Sequence, residues 1–203
     1  PPHASSSAAS DVYKRQVLAQ GAHERPLVFS GNDLPGVMLS GAVRTYINRY
    51  GVVPGNRTVV FTNNDDAYRT ALALHRAGAH VVVVDLRRDL RGELVKAVRA
   101  AGIDIHSGHA VSIASGTQHL ARVEIAPVND GATALLDDPF HMDCDLLAMS
   151  GGLSPAVHLH SQARGKLGWD ERLLCFKPTT VHEASFNVGA GNGVFDTEKA
   201  IAD

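Results

Sequence analysis

The sequence predicts an α/β fold with a parallel sheet, and two observations carry that reading. Across residues 57–88 two β-branched runs, "RTVVF" and "HVVVVD", enclose an Ala/Leu-rich helical stretch at 67–77, the strand, helix, strand grammar of a Rossmann-like unit. A second apolar run, "CDLLAMSGG" at 144–152, has the near-continuous hydrophobicity of a strand buried on both faces and ends in small residues. Runs 57–61, 80–85 and 103–106 are therefore expected to pair in parallel, with 67–77 as a right-handed crossover helix.

The elements follow in chain order. Residues 1–16, "PPHASSSAASDVYKRQ", are rich in Ser and Ala without apolar period and resemble translated sequencing-adapter read-through, so 1–23 is expected as a disordered or artefactual tail. Residues 24–54 carry turn chemistry at "GNDLPG", a helical pattern through Val43, Tyr46 and Ile47, and a "PGN" turn. The Rossmann-like domain is expected over 55–128: the unit at 57–88, a helix at 90–101, the strand "IDIHSG", and an antiparallel hairpin in which "AVSIASGTQHLARVEIAPV" folds about "SGTQ". Residues 129–203 hold the "CDLLAMSGG" strand, a part-helical, part-loop stretch from Leu153, the Gly-rich "VGAGNGVF" and a helix beginning near Thr197. The chain opens on Pro1 and closes in that unfinished helix, so a piece of a longer protein is expected.

Composition narrows the function classes. With 203 residues the chain can bury a core, and 19 Lys+Arg against 21 Asp+Glu leave no cationic excess to point to nucleic acid or to an anionic membrane. No apolar run has membrane-spanning length. Two cysteines, Cys144 and Cys175, fit no metal-ligand spacing and favour a reduced cytoplasm. His158 and His160 are two apart, hence on different faces of a helix, and His106 and His109 have no carboxylate or thiol at ligand spacing, so surface or satisfied polar roles are expected. Trp169 reads as a packing anchor or a subunit contact.

The dinucleotide chemistry of such a unit needs G-x-G-x-x-G, so that backbone can approach a pyrophosphate at the helix N-terminus. Here those positions are Thr62, Asn64 and Ala67, and Asp65 and Asp66 add two carboxylates where a diphosphate would sit. Asn64 or Asp65 as a helix cap, with both acids complementing the dipole, explains the loop better. Asp85 stands at the usual ribose-hydroxyl position but equally suits a cap for the next helix.

The stretch "CDLLAMSGGLSP", with Asp145, Ala148, Gly151, Gly152 and Pro155, resembles the strand and turn by which two-dinucleotide-domain flavoproteins of the disulfide-reductase type leave their second nucleotide domain. The resemblance implies that Gly151 and Gly152 let backbone lie near a cofactor of the first domain. "FNVGAGNGVF" resembles the segment that reads G-D in those proteins and holds the flavin; Gly189 is followed here by Ala190, while Gly191, Asn192 and Gly193 still offer donors ahead of a helix.

Together with "RPLVFSGNDLPGVMLSGAVRTYINRYGVVPGNRTVVF", these motifs resemble the α subunits of heterotetrameric sarcosine oxidases, from about Glu24 to the end. That resemblance implies a Rossmann-like second nucleotide-binding domain plus parts of a discontinuous FAD/NAD(P)-binding domain, to which 24–54 and 129–203 would belong. It implies NAD on α, FAD and FMN in the assembled complex, tetrahydrofolate at a C-terminal domain absent here, and other subunits as partners. The implied reaction is oxidative demethylation of sarcosine with peroxide production. A free-standing FAD/NAD(P)-dependent oxidoreductase and a ligand-free assembly module remain open.

Asp65 and Asp66 oppose a pyrophosphate, so NAD is expected not to bind tightly at residues 62–67. Calorimetric titration tests this: micromolar binding that is abolished by Asp85→Ala would overturn it.

Overall fold

A computed structural model describes residues 15–182 and 184–203. In chain order its strands and helices are β1 (Gln16–Leu18), β2 (Ala22–Glu24), β3 (Val37–Leu39), α1 (Ser40–Tyr50), β4 (Arg57–Thr62), α2 (Asp66–Arg76), β5 (His80–Asp85), α3 (Glu93–Ala100), β6 (Asp104–Ser107), β7 (His109–Ser115), β8 (Arg122–Pro127), β9 (Phe140–Asp143), β10 (Leu146–Ser150), β11 (Leu153–Pro155), α4 (His158–Gln162), β12 (Lys166–Asp170), β13 (Cys175–Thr180), β14 (Ser185–Asn187) and α5 (Thr197–Ala202). They form two compact units, a central one over Glu24–Gly152 and a terminal one made of Leu153–Asp203 and the chain up to His23.

The central unit is a five-stranded sheet in the order β3-β10-β4-β5-β6. Every neighbouring pair is parallel. The expected pairing of the runs at 57, 80 and 103 is thus observed, and α2 is the first crossover. Alternation along each strand sends one set of side chains to each face. Val60, Val81, Val83, Leu146 and Ala148 pack with Val43, Tyr68, Leu74, Val95 and Val98 of the three helices. Val59, Phe61, Val84, Leu147 and Met149 pack instead on Val111, Val123 and Ile125 of the antiparallel sheet β7-β8-β9. The α1 helix has no cap from its own N-cap residue, Leu39. Glu24 supplies one from a distance, its Oε2 accepting from Gly41 N at 2.7 Å, which satisfies one of the orphan donors of the first turn.

The terminal unit contains the parallel ladder β1-β14, the antiparallel ladder β12-β13, and the two-stranded sheet β11-β2. His160 is its buried polar centre, fully enclosed. Its Nε2 lies 2.9 Å from Lys166 O and its Nδ1 2.9 Å from the Asn187 side-chain nitrogen. Both ring nitrogens thus have hydrogen-bond partners inside the unit.

Three expectations need correction. Residues 16–23 are not tail: Gln16–Leu18 pairs in register with Ser185–Asn187 and Leu18 is buried, because its backbone finds a parallel partner far along the chain. Residues 1–14 lie outside the described residues. The boundaries at 54 and 128 are also displaced, since β3, α1 and β10 belong to the central unit, whose ends fall at Glu24 and Gly152. Finally, 166–180 is a hairpin rather than loop, turning through Leu174 in the left-handed region at φ 50°. Trp169 is no core anchor: it is 48% exposed and meets Phe176 across the hairpin edge-to-face, with ring centroids 5.1 Å apart.

Leu147 is fully buried in the middle of β10. Leu147→Ala is expected to lower stability by about 2–5 kcal/mol, through lost transfer energy and a residual cavity. Urea unfolding would show this as a lower midpoint at unchanged slope.

Candidate functional site

In open parallel sheets ligands bind beyond the carboxyl ends of the strands. Here that crest consists of Thr62–Asp65 after β4, Asp85–Arg88 after β5 and Ser150–Gly152 after β10. Two of the three glycine positions of a phosphate loop, Thr62 and Asn64, carry side chains that hydrogen-bond inward. Asn64 donates from Nδ2 to Ser150 O and Oγ, both at 3.1 Å, and accepts from Asp66 N at 3.1 Å. Asn64, and not Asp65, therefore serves the start of α2. Asp66 faces away, paired with Arg44 at 2.8 Å.

Asp85 is fully buried. Its Oδ1 accepts from Arg87 N at 2.8 Å and Arg87 Nε at 3.1 Å, and its Oδ2 from Tyr68 Oη and Arg87 Nη2, each at 2.8 Å. The third nitrogen of the fork, Nη1, stands 2.8 Å from Asp65 Oδ1. Burial works against the Arg87 charge, but the hydrogen bonds and charge of Asp85 outweigh it and hold the guanidinium protonated. Burial, then the Asp85 charge, pushes the Tyr68 phenol well above its usual range. A ribose hydroxyl would have to displace one of these donors to reach Asp85, and Asp65, the carboxylate expected to oppose a pyrophosphate, is instead paired with Arg87 across the crest. The crest does not fit a dinucleotide.

Gly151 and Gly152 serve a close chain approach. Gly151 N donates to Arg25 O at 2.7 Å, and Gly152 O accepts from Arg25 N at 2.8 Å. A Cβ on Gly151 would stand 2.9 Å from Pro26 O, and Gly152 has φ 92°. Their expected nearness to a cofactor thus concerns space alone, because these backbone groups already have partners.

In the terminal unit, Gly189, Ala190, Gly191 and Asn192 form a 3-10 turn closed by Gly193 in the left-handed region. Gly189 N donates to Asp203 Oδ2 at 2.9 Å, and Asn192 Nδ2 stands 3.2 Å from the same oxygen. A backbone donor and a side-chain amide therefore converge on one anion. Gly191 is buried, and a Cβ there would lie 3.6 Å from Gln20 N and Gly21 O. These residues fit a small anionic group, and the spacing that placed them ahead of a helix is retained by Thr197–Ala202.

The remaining candidates are accounted for locally. His106 and His109 pack with Phe140, and burial, then the neighbouring His109, lowers the His106 pKa. His158 meets His23. Among the described residues no group of three or more His, Cys, Asp or Glu is arranged to hold a metal ion, and no helix is long and apolar enough to cross a membrane. Sequence reading missed Arg87 and the His160–Asn187 pair. The spacing of Arg87, two residues after Asp85, was the available signal for the first; the second joins separate elements and has no local mark.

The chain is similar to sarcosine oxidase α subunits over most of its length. It is 42% identical over 188 residues to sarcosine oxidase subunit alpha of Corynebacterium sp. (strain P-1), covering 92% of this chain and 19% of that protein. With the subunit alpha of Rhizobium meliloti (strain 1021) it shares 40% over 170 residues, covering 81% of this chain and 16% of that protein. The chain thus spans less than a fifth of these relatives. No protein-family model matches it. Among solved structures, T. acidophilum thioredoxin reductase superposes with a TM-score of 0.65 at 15% identity, covering 91% of this chain and 58% of that chain. This is an FAD/NAD(P)-binding oxidoreductase fold, as the motifs implied.

Cys144 is buried, and burial, then Asp145, pushes its thiol up to about 12. The folded state retains a proton that the unfolded chain releases near pH 8.5. Its stabilising contribution is therefore complete below that pH and declines as pH rises toward 12. Ellman titration at pH 8 is expected to leave Cys144 unreacted until denaturant is added; rapid labelling of the native protein would contradict the assignment.

Proposed function

We propose that this chain is the middle part of the α subunit of a sarcosine-oxidase-type complex. The reaction converts sarcosine, oxygen and water to glycine, formaldehyde and hydrogen peroxide. The observation that carries this reading is the 42% identity extending over 92% of the chain, through both units. The proposed assembly carries NAD on the α subunit, FAD and FMN in the assembled complex, tetrahydrofolate at a domain outside this chain, and the other subunits as partners. No nucleic-acid or membrane partner enters, and the complex is cytoplasmic.

Within it, the terminal unit is the return part of the first nucleotide-binding domain. Gly189 and Asn192, whose donors converge on a carboxylate, would meet a phosphate group of the dinucleotide. This chain's residues would contribute its binding and orientation. The central unit serves packing and assembly.

In the full-length protein with its partner subunits, sarcosine should drive oxygen-dependent peroxide formation. Inactivity with sarcosine alongside oxidation of another secondary amine would reject the substrate. Gly191→Val places branched bulk against Gln20 and Gly21 and restricts the backbone. It is expected to lose NAD while assembly stays intact; full NAD occupancy at unchanged affinity would refute the cofactor placement.

A further inference from the structure

We infer that Arg87 is the resident occupant of the nucleotide position in the central unit, closing that unit to dinucleotides and making its crest a fixed joint. The frame is that of a nucleotide-binding unit: β4, α2 and β5 in parallel crossover, with an acidic residue at the end of β5. What a bound dinucleotide needs from that frame is a free acceptor for the ribose and free donors for the phosphates. Neither is free.

A carboxylate has about four acceptor sites, and Asp85 uses four hydrogen bonds, three from Arg87 and one from Tyr68. The fork of Arg87 makes a two-pronged bond to Asp85, the strong form of such a pair. Its remaining arm pairs with Asp65 at 2.8 Å, in the phosphate loop itself. Thus the two loops that would part around a ligand are bridged by one side chain. The groups facing Arg87 are Asp65, Asp85 and Tyr68, while Asn64 ties the same loop to Ser150 on the other side. Asp65 is therefore neutralised in place, not a free charge awaiting repulsion. Entry of a nucleotide would strip a fully buried carboxylate of its partners, an unfavourable step. This inference is independent of which amine the complex oxidises.

Amide hydrogen exchange on the full-length protein, resolved to residues 62–68 and 85–88, tests it with NAD or NADP added at millimolar concentration. Exchange in both segments is expected to be unchanged by either nucleotide; new protection there would overturn the inference. Arg87→Ala is expected to raise exchange in both segments several-fold, and unchanged exchange would overturn the bridge. Should that variant not fold, Arg87→Lys decides. An ammonium cannot reproduce the planar fork, so faster exchange confined to these two segments is expected, and wild-type exchange would again refute the role.

Discussion

The central unit depends on one backbone ladder, the insertion of Leu146–Ser150 between Val37–Leu39 and Arg57–Thr62, parallel to both. All five of its residues are buried. Parallel strands persist where both faces are covered, and here the helices cover one face and the β7-β8-β9 sheet the other. The strand returns from far along the chain, so its pairing carries a large loop-closure cost and rewards folding late. The side chain of Asp145 reinforces the register just before the ladder, accepting from Arg57 N at 2.9 Å.

That ladder also brings the crest together, because it sets Ser150 beside Thr62 and, through the next pairing, Asp85. Once these ends are adjacent, inward hydrogen bonding replaces each function that a phosphate loop has for a ligand. Asn64 takes the place of a backbone opening, and the guanidinium of Arg87 lies between two carboxylates. The frame can then keep its packing role while its ligand chemistry lapses. The reciprocal case is the 3-10 turn at Gly189–Asn192, where a backbone N–H and a side-chain amide converge on the exposed Asp203 carboxylate.

Much of the central sheet was legible in the sequence because its signals are periodic and local: the Val runs of β4 and β5, the Ala/Leu stripe of α2, and the apolar run of β10. What escaped lacked local signal. Val37–Leu39, Gln16–Leu18 and Phe140–Asp143 are strands of only three or four residues that exist because distant partners hold them. The hairpin at Lys166–Thr180 turns through Leu174, without the glycine or asparagine that usually marks such a turn. The candidate site divides the same way. Missing glycines were visible in "TNNDDA", whereas the occupant that replaced a ligand was visible only as an arginine after Asp85.

The pairing of Arg25 with Gly151 and Gly152 gives the central unit a topological property. Its two ends meet: Arg25, next to its first residue, donates from N to O of its last, Gly152, at 2.8 Å. A unit whose ends meet occupies, for the chain that carries it, little more than a single peptide gap. It can therefore be inserted into, or removed from, a surface loop of another protein without stretching either host strand. In gene-fusion terms the stretch Glu24–Gly152 is a cassette, free to change its chemistry while the protein that interrupts itself to hold it keeps an unbroken fold.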